Sequence, residues 1–124
     1  MEKVDLTKEE EQSLKHFMYQ TEKGEREQVN ELFMSCNSPY QFARTHSAYV
    51  KDWEKTKNRM ENNLRNGVLP PATSANLFKE MIRVSDEIMQ RKLGLVRMLF
   101  ENKFNESIYN YLGSDGKTKF LGIF

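Results

Sequence analysis

The stretch SPYQFARTHSAYVKDWEKTKNRMENNLRNG, residues 38–67, decides the fold. Ser38 can cap a helix with its hydroxyl, Pro39 suits the first helical position because its missing N–H would be unpaired there anyway, and Gln41 completes a capping box. Ala43, His46, Val50, Trp53, Lys57, Met60 and Leu64 then recur at alternating steps of three and four, with Phe42 and Tyr49 widening the stripe. That period is the buried face of a helix in a bundle or coiled coil. Gly67 supplies a left-handed stop. The pattern predicts a helix over 39–66, roughly 42 Å long at 1.5 Å per residue, whereas a compact domain of this length has a radius of gyration of only about 14 Å. Its ends must be covered by another helix in an elongated antiparallel pair or by a second copy of the chain, which keeps homo-oligomerisation open.

Upstream, Thr7 and Glu10 form a second capping box, and Leu14, Phe17, Met18 and Tyr19 mark one face of a first helix that fades before Gly24. A short second helix over 25–34 shows Val29, Leu32 and Phe33 together; the alternative is a single bent helix that absorbs Gly24. Downstream, VLPPATS is a stiff connector, after which Thr73 or Ser74 caps a last long helix reaching about residue 112. Its apolar stripe is wide, with Leu77, Phe78, Met81, Ile82, Ile88, Met89, Leu95, Val96, Leu99, Phe100, Phe104 and Ile108. Gly94 interrupts it at about 1 kcal/mol relative to alanine, which suggests a bend or a close helix crossing. No period-two run of any length precedes the tail, so β structure is marginal. The expected fold is all-α: a small elongated bundle of three to four helices, two of them long, over 1–112, then a turn and a short extended apolar tail over 113–124.

The segment IYNYLGSDGK, 108–117, resembles the close of some flagellar and type III secretion chaperones, in which a long helix runs into a Tyr, Gly and Asp-Gly turn. The resemblance is confined to this end of the chain.

The 124 residues carry 19 Lys and Arg against 18 Asp and Glu, so no global field steers the protein toward nucleic acid or membrane. The distribution is uneven: nine acids and five bases in 1–31 (−4), but six bases and three acids in 39–66 (+3). Cys36 stands alone, which excludes a disulfide framework and points to a reducing compartment. MEKVDLTKEEE has neither a signal-peptide core nor the apolar run of about 20 residues needed to span a membrane, so the chain reads as cytoplasmic.

Chemistry is sparse. His16 and His46 have no partners at metal-ligand spacing, and His46 on the apolar stripe reads as a buried interface histidine. Cys36 faces the start of the SPYQ helix, whose dipole would acidify a thiol, but it has no base partner. Glu9, Glu10 and Glu11 fan around a first helical turn and complement its dipole. No phosphate loop, GxSxG or HExxH occurs. An enzyme is therefore not expected, and no cofactor or metal is implied.

Two constellations remain. Arg44, Lys51, Lys55 and Arg59 fall at spacings of seven, four and four opposite the Trp53 stripe, a face that could track a phosphate backbone, with Asp52 and Glu54 diluting it. The tail KTKFLGIF carries Phe120, Leu121, Ile123 and Phe124, either a lid on the bundle or a docking element for a partner's groove. The favoured reading is a non-enzymatic protein-binding adaptor, chaperone or inhibitor that sequesters a protein partner, in the manner of small phage-encoded and bacterial secretion-system proteins. Its contacts would be the four tail residues with Trp53 and Tyr49. The alternative is a nucleic-acid-binding regulator using the basic face.

Ser38→Ala should lower stability by about 0.5–2 kcal/mol through loss of the cap, read from the urea midpoint of helical circular dichroism.

Overall fold

The computed structural model describes residues 5–113 and residue 117. Over these the fold is all-α: α1 Lys8–Phe33, α2 Pro39–Arg65 and α3 Ala75–Phe104, followed by a single 3-10 turn, Ile108–Asn110. All three helices start on side-chain caps. Thr7 accepts from the Glu10 amide while Glu10 accepts from the Thr7 amide, closing the box expected there. Ser38 accepts from the Gln41 amide at 3.1 Å, but the Gln41 side chain reaches past the cap to the Asn37 amide. At α3 the cap is Ser74, bonded to the Leu77 amide at 3.1 Å.

Gly24 does not divide the first helix. α1 runs through it unbroken, because the cost of one glycine is about 1 kcal/mol and the helix is held on both sides of it: Lys92 of α3 pairs with Glu22 before it, and Val29 and Phe33 are buried after it. α2 ends as its sequence implies. Gly67 has φ +72°, and the Gly67 and Val68 amides return to the Leu64 and Asn63 carbonyls at 3.2 and 2.8 Å, the paired bonds of a Schellman stop.

The last helix is shorter than expected. Asn105, with φ 55°, closes α3 in the left-handed conformation, and Ile108 of the 3-10 turn and Leu112 beyond it become core residues. The long helix therefore does not run into the 108–117 segment as it does in the secretion chaperones whose ending it resembles. Gly94 marks neither a crossing nor a break: the helix is continuous, and nothing lies within 4 Å of where its Cβ would sit.

α1 and α3 run parallel, with α2 antiparallel to both. At one end the Ser74 hydroxyl donates to Glu10, tying the starts of α1 and α3. At the other, Phe33 of α1, Phe42 of α2 and Phe100 and Phe104 of α3 form a continuous aromatic cluster with centroid separations of 4.9 to 6.0 Å, which Tyr111 joins from beyond the 3-10 turn. α3 packs extensively on both other helices, whereas α1 and α2 meet each other at few points. The two outer helices therefore lie on separate flanks of α3.

Gly94→Ala should raise stability by about 0.5–1 kcal/mol, since its Cβ enters open space in a helix interior. Gly67→Ala should lower it by about 1–2 kcal/mol, the cost of left-handed backbone for an L-residue; paired thermal melts check both signs.

Candidate functional site

Separating α1 from α2 opens a groove of about 370 Å³, lined by Glu25, Gln28 and Leu32 of α1, Thr45, Ala48, Tyr49, Asp52, Trp53 and Thr56 of α2, and Met89 of α3. Tyr49 is buried and its hydroxyl donates to Glu25, while its oxygen lies 3.7 Å from the Met89 sulfur. Burial, then the Glu25 bond and charge, push the phenol well above its usual range, so it stays a donor at neutral pH. Trp53 is half-buried, and its indole N–H donates to Asp86 Oδ1 at 2.9 Å, a direct α2–α3 link. Lys57 lies 3.3 Å from the other Asp86 oxygen. Burial pushes the Asp86 carboxyl upward, but the Trp53 and Gln90 donors and the Lys57 charge together outweigh it and hold it below its usual range.

On the other side of α1, a second concavity of about 270 Å³ lies between α1 and α3. Arg26, Val29 and Asn30 form one wall and Lys92, Leu95, Met98, Leu99 and Asn102 the other. Leu95, Met98 and Leu99 are 51%, 59% and 36% exposed, although Val96 and Phe100 beside them are fully buried. Leu95 and Leu99 are therefore not the core residues their place in the stripe suggested. The signal was the width of that stripe: two adjacent rows of apolar side chains cannot both face a single neighbouring helix. Lys92 is buried to its head group, which pairs with Glu22; Arg91 reaches the same carboxylate at 3.6 Å.

The outer face of α2 is the third surface. Arg44, Lys51, Lys55 and Arg59 are all exposed, and Arg44 lies over the Tyr40 ring at 5.9 Å. The neighbouring acids are turned to its edges: Asp52 lines the α1/α2 groove, and Glu54 pairs with Lys117 at 2.9 Å.

Of the partner-binding residues expected from sequence, Tyr49 and Trp53 line the same α1/α2 groove. Tyr49 is a buried tie between α1 and α2, and a side chain committed to Glu25 offers little surface to a protein. Trp53 borders the groove but is anchored inward by Asp86. Phe120, Leu121, Ile123 and Phe124 lie outside the described residues. Cys36 is buried, its thiol donating to the Leu32 carbonyl at 3.3 Å, and His46 is buried as expected. Among the described residues no group of three or more His, Cys, Asp or Glu could hold a metal ion, and no helix is long and apolar enough to cross a membrane.

Compared with known proteins, the chain matches no family model, no curated protein and no solved structure.

Trp53→Phe keeps an aromatic ring and removes the donor to Asp86, and should cost about 1.5–3 kcal/mol at pH 7, the range of a hydrogen bond to a charged group. Because the folded Asp86 pKa is depressed, this contribution is present above about pH 4 and lost as the pH falls through the lowered value. Urea unfolding at pH 7 and pH 3, followed by circular dichroism, should show the gap between the two proteins shrinking in acid.

Proposed function

We propose that this chain is a helical protein-binding module, an adaptor, chaperone or inhibitor that sequesters a protein partner through the α1/α3 furrow together with its apolar tail. The observation that carries the reading is the exposed trio Leu95, Met98 and Leu99, seated beside Val29 and rimmed by Arg26, Lys92, Asn30 and Asn102. Contiguous exposed apolar side chains with a polar rim mark interaction surfaces, and methionine repacks readily against different partners. The trio cannot hold a partner alone. Full burial of such a side chain is worth roughly 1.5–3 kcal/mol, and these are already partly covered, while association costs about 4–15 kcal/mol. Phe120, Leu121, Ile123 and Phe124 are the further apolar anchors this reading draws on, and aromatic residues dominate interfaces of this kind. The lone buried thiol suits a reducing compartment, and we place the activity in the cytoplasm.

A photo-cross-linking residue at position 98, expressed in the native host, should give a discrete protein adduct, and one at position 55 should not. Leu95→Asp should reduce the adduct about tenfold or more, equivalent to 1.4 kcal/mol, while changing stability by no more than about 0.5 kcal/mol because the site is exposed. Truncation after Lys117 should reduce the adduct comparably. An adduct insensitive to both changes would overturn the reading.

A second reading is favoured by the outer face of α2, where Arg44, Lys51, Lys55 and Arg59 are exposed and the nearby acids face elsewhere. A nucleic-acid ligand there would touch about four phosphates. Affinity for duplex DNA should then fall with a log–log salt slope of about −3.6, and no binding at low salt removes this alternative.

A further inference from the structure

We propose that the α1/α2 groove is a binding site for an organic cation, an alkylammonium or guanidinium group, held between the carboxylates of Glu25 and Asp52 and against the Trp53 ring. Its volume of about 370 Å³ falls in the range of small-molecule sites, roughly 300–1,000 Å³. The lining is acidic and aromatic: it includes two carboxylates, Trp53 and Tyr49, and no lysine or arginine. This absence separates it from the α1/α3 furrow, whose walls carry Arg26 and Lys92.

The carboxylates have unspent acceptor capacity. Asp52 makes no ion pair or hydrogen bond among the described residues, despite the lysines on the same helix, and Glu25 has only the Tyr49 hydroxyl. With its proton retained, Tyr49 adds no charge to the groove and fixes one Glu25 oxygen. Trp53 contributes in another way. Donation of its N–H to the Asp86 carboxylate polarises the indole toward a more negative ring face, which strengthens attraction for a cation placed against it. Leu32, Ala48 and Met89 provide apolar surface for an alkyl stem.

The same lining argues against other ligands. An anion would meet two carboxylates. A metal ion needs several ligands converging within coordination distance, and no such group exists among the described residues. A weakly hydrated organic cation with an apolar stem matches what remains. It has two sources, a free metabolite such as a polyamine or the arginine or lysine side chain of a protein. This site does not depend on the furrow: α1 separates them, with Glu25, Gln28 and Leu32 facing one and Arg26, Val29 and Asn30 the other.

Trp53 is the chain's single tryptophan, so its fluorescence reports on the groove directly. The purified full chain is titrated with agmatine, spermidine and a blocked pentapeptide carrying one central arginine, with sodium chloride at matched ionic strength as the reference. A saturable change is expected with at least one of the three, weakened about tenfold, or 1.4 kcal/mol, by Asp52→Asn, and unaffected by Leu95→Asp. Asp52 is exposed and makes no hydrogen bond or ion pair among the described residues that its asparagine would lose, so this variant tests the site without unfolding it. Tighter binding of the peptide than of agmatine assigns the site to a protein's side chain, and the reverse order to a free cation. No saturable change with any probe overturns the proposal. So does an equal response in Asp52→Asn, or one that sodium chloride reproduces.

Discussion

The structure depends on one contact: the aromatic cluster in which Phe33, Phe42, Phe100 and Phe104 bring three helices to a common point. Phe42 is its hub, with rings of α1 and α3 at 4.9, 5.3 and 6.0 Å and edge-on to both Phe100 and Phe104. Offset and edge-on pairs of this kind add about 0.5–1.5 kcal/mol each beyond their buried area. More important is what they connect. α1 and α2 meet each other at few points, and the cluster joins both to α3 at the end where they connect. Lys103 reinforces the corner by donating to the Cys36 carbonyl of that turn.

From that corner the two outer helices diverge along α3, and the surfaces of interest follow from the divergence. Between α1 and α2 the gap is bridged by the Tyr49 hydroxyl on Glu25, while Trp53 at its border is anchored to Asp86 of α3. Buried polar groups must find partners, and satisfying them here leaves a groove with negative walls. On the other side of α1, Glu22 draws Lys92 and Arg91 together and the apolar row above them extends past the edge of α1. The bundle thus separates charge by surface, with a groove of carboxylates, a furrow with basic and amide rims, and a basic outer face on α2. A near-neutral chain can therefore present distinct local fields.

Much of the fold was legible because it rests on local physics. The caps at Thr7, Ser38 and Ser74 and the left-handed stop at Gly67 are side-chain and backbone preferences expressed within a few residues. The errors came where tertiary contact outweighed a local signal. Gly24 read as a break, yet a helix clamped by Glu22, Val29 and Phe33 carries it. The wide stripe of the last helix continued to residue 112 in sequence, but Asn105 turns the chain left-handed so that Ile108 and Leu112 can cover the aromatic end.

By itself, the sequence determined the helical class, the starts of α1 and α2, that of α3 to within one residue, the end of α2 and the basic row, because each is written in a period or in a capping residue. Only the tertiary structure decided that Tyr49 is buried and tied to Glu25, that Leu95 and Leu99 face outward while Val96 and Phe100 face inward, and that Glu25 and Asp52 share a groove. The physical reason is that periodicity reports which residues lie on one side of a helix, whereas burial and shared cavities depend on which helices stand beside it and at what angle, and that angle arises from contacts between Phe33, Phe42 and Phe100, residues far apart in the chain.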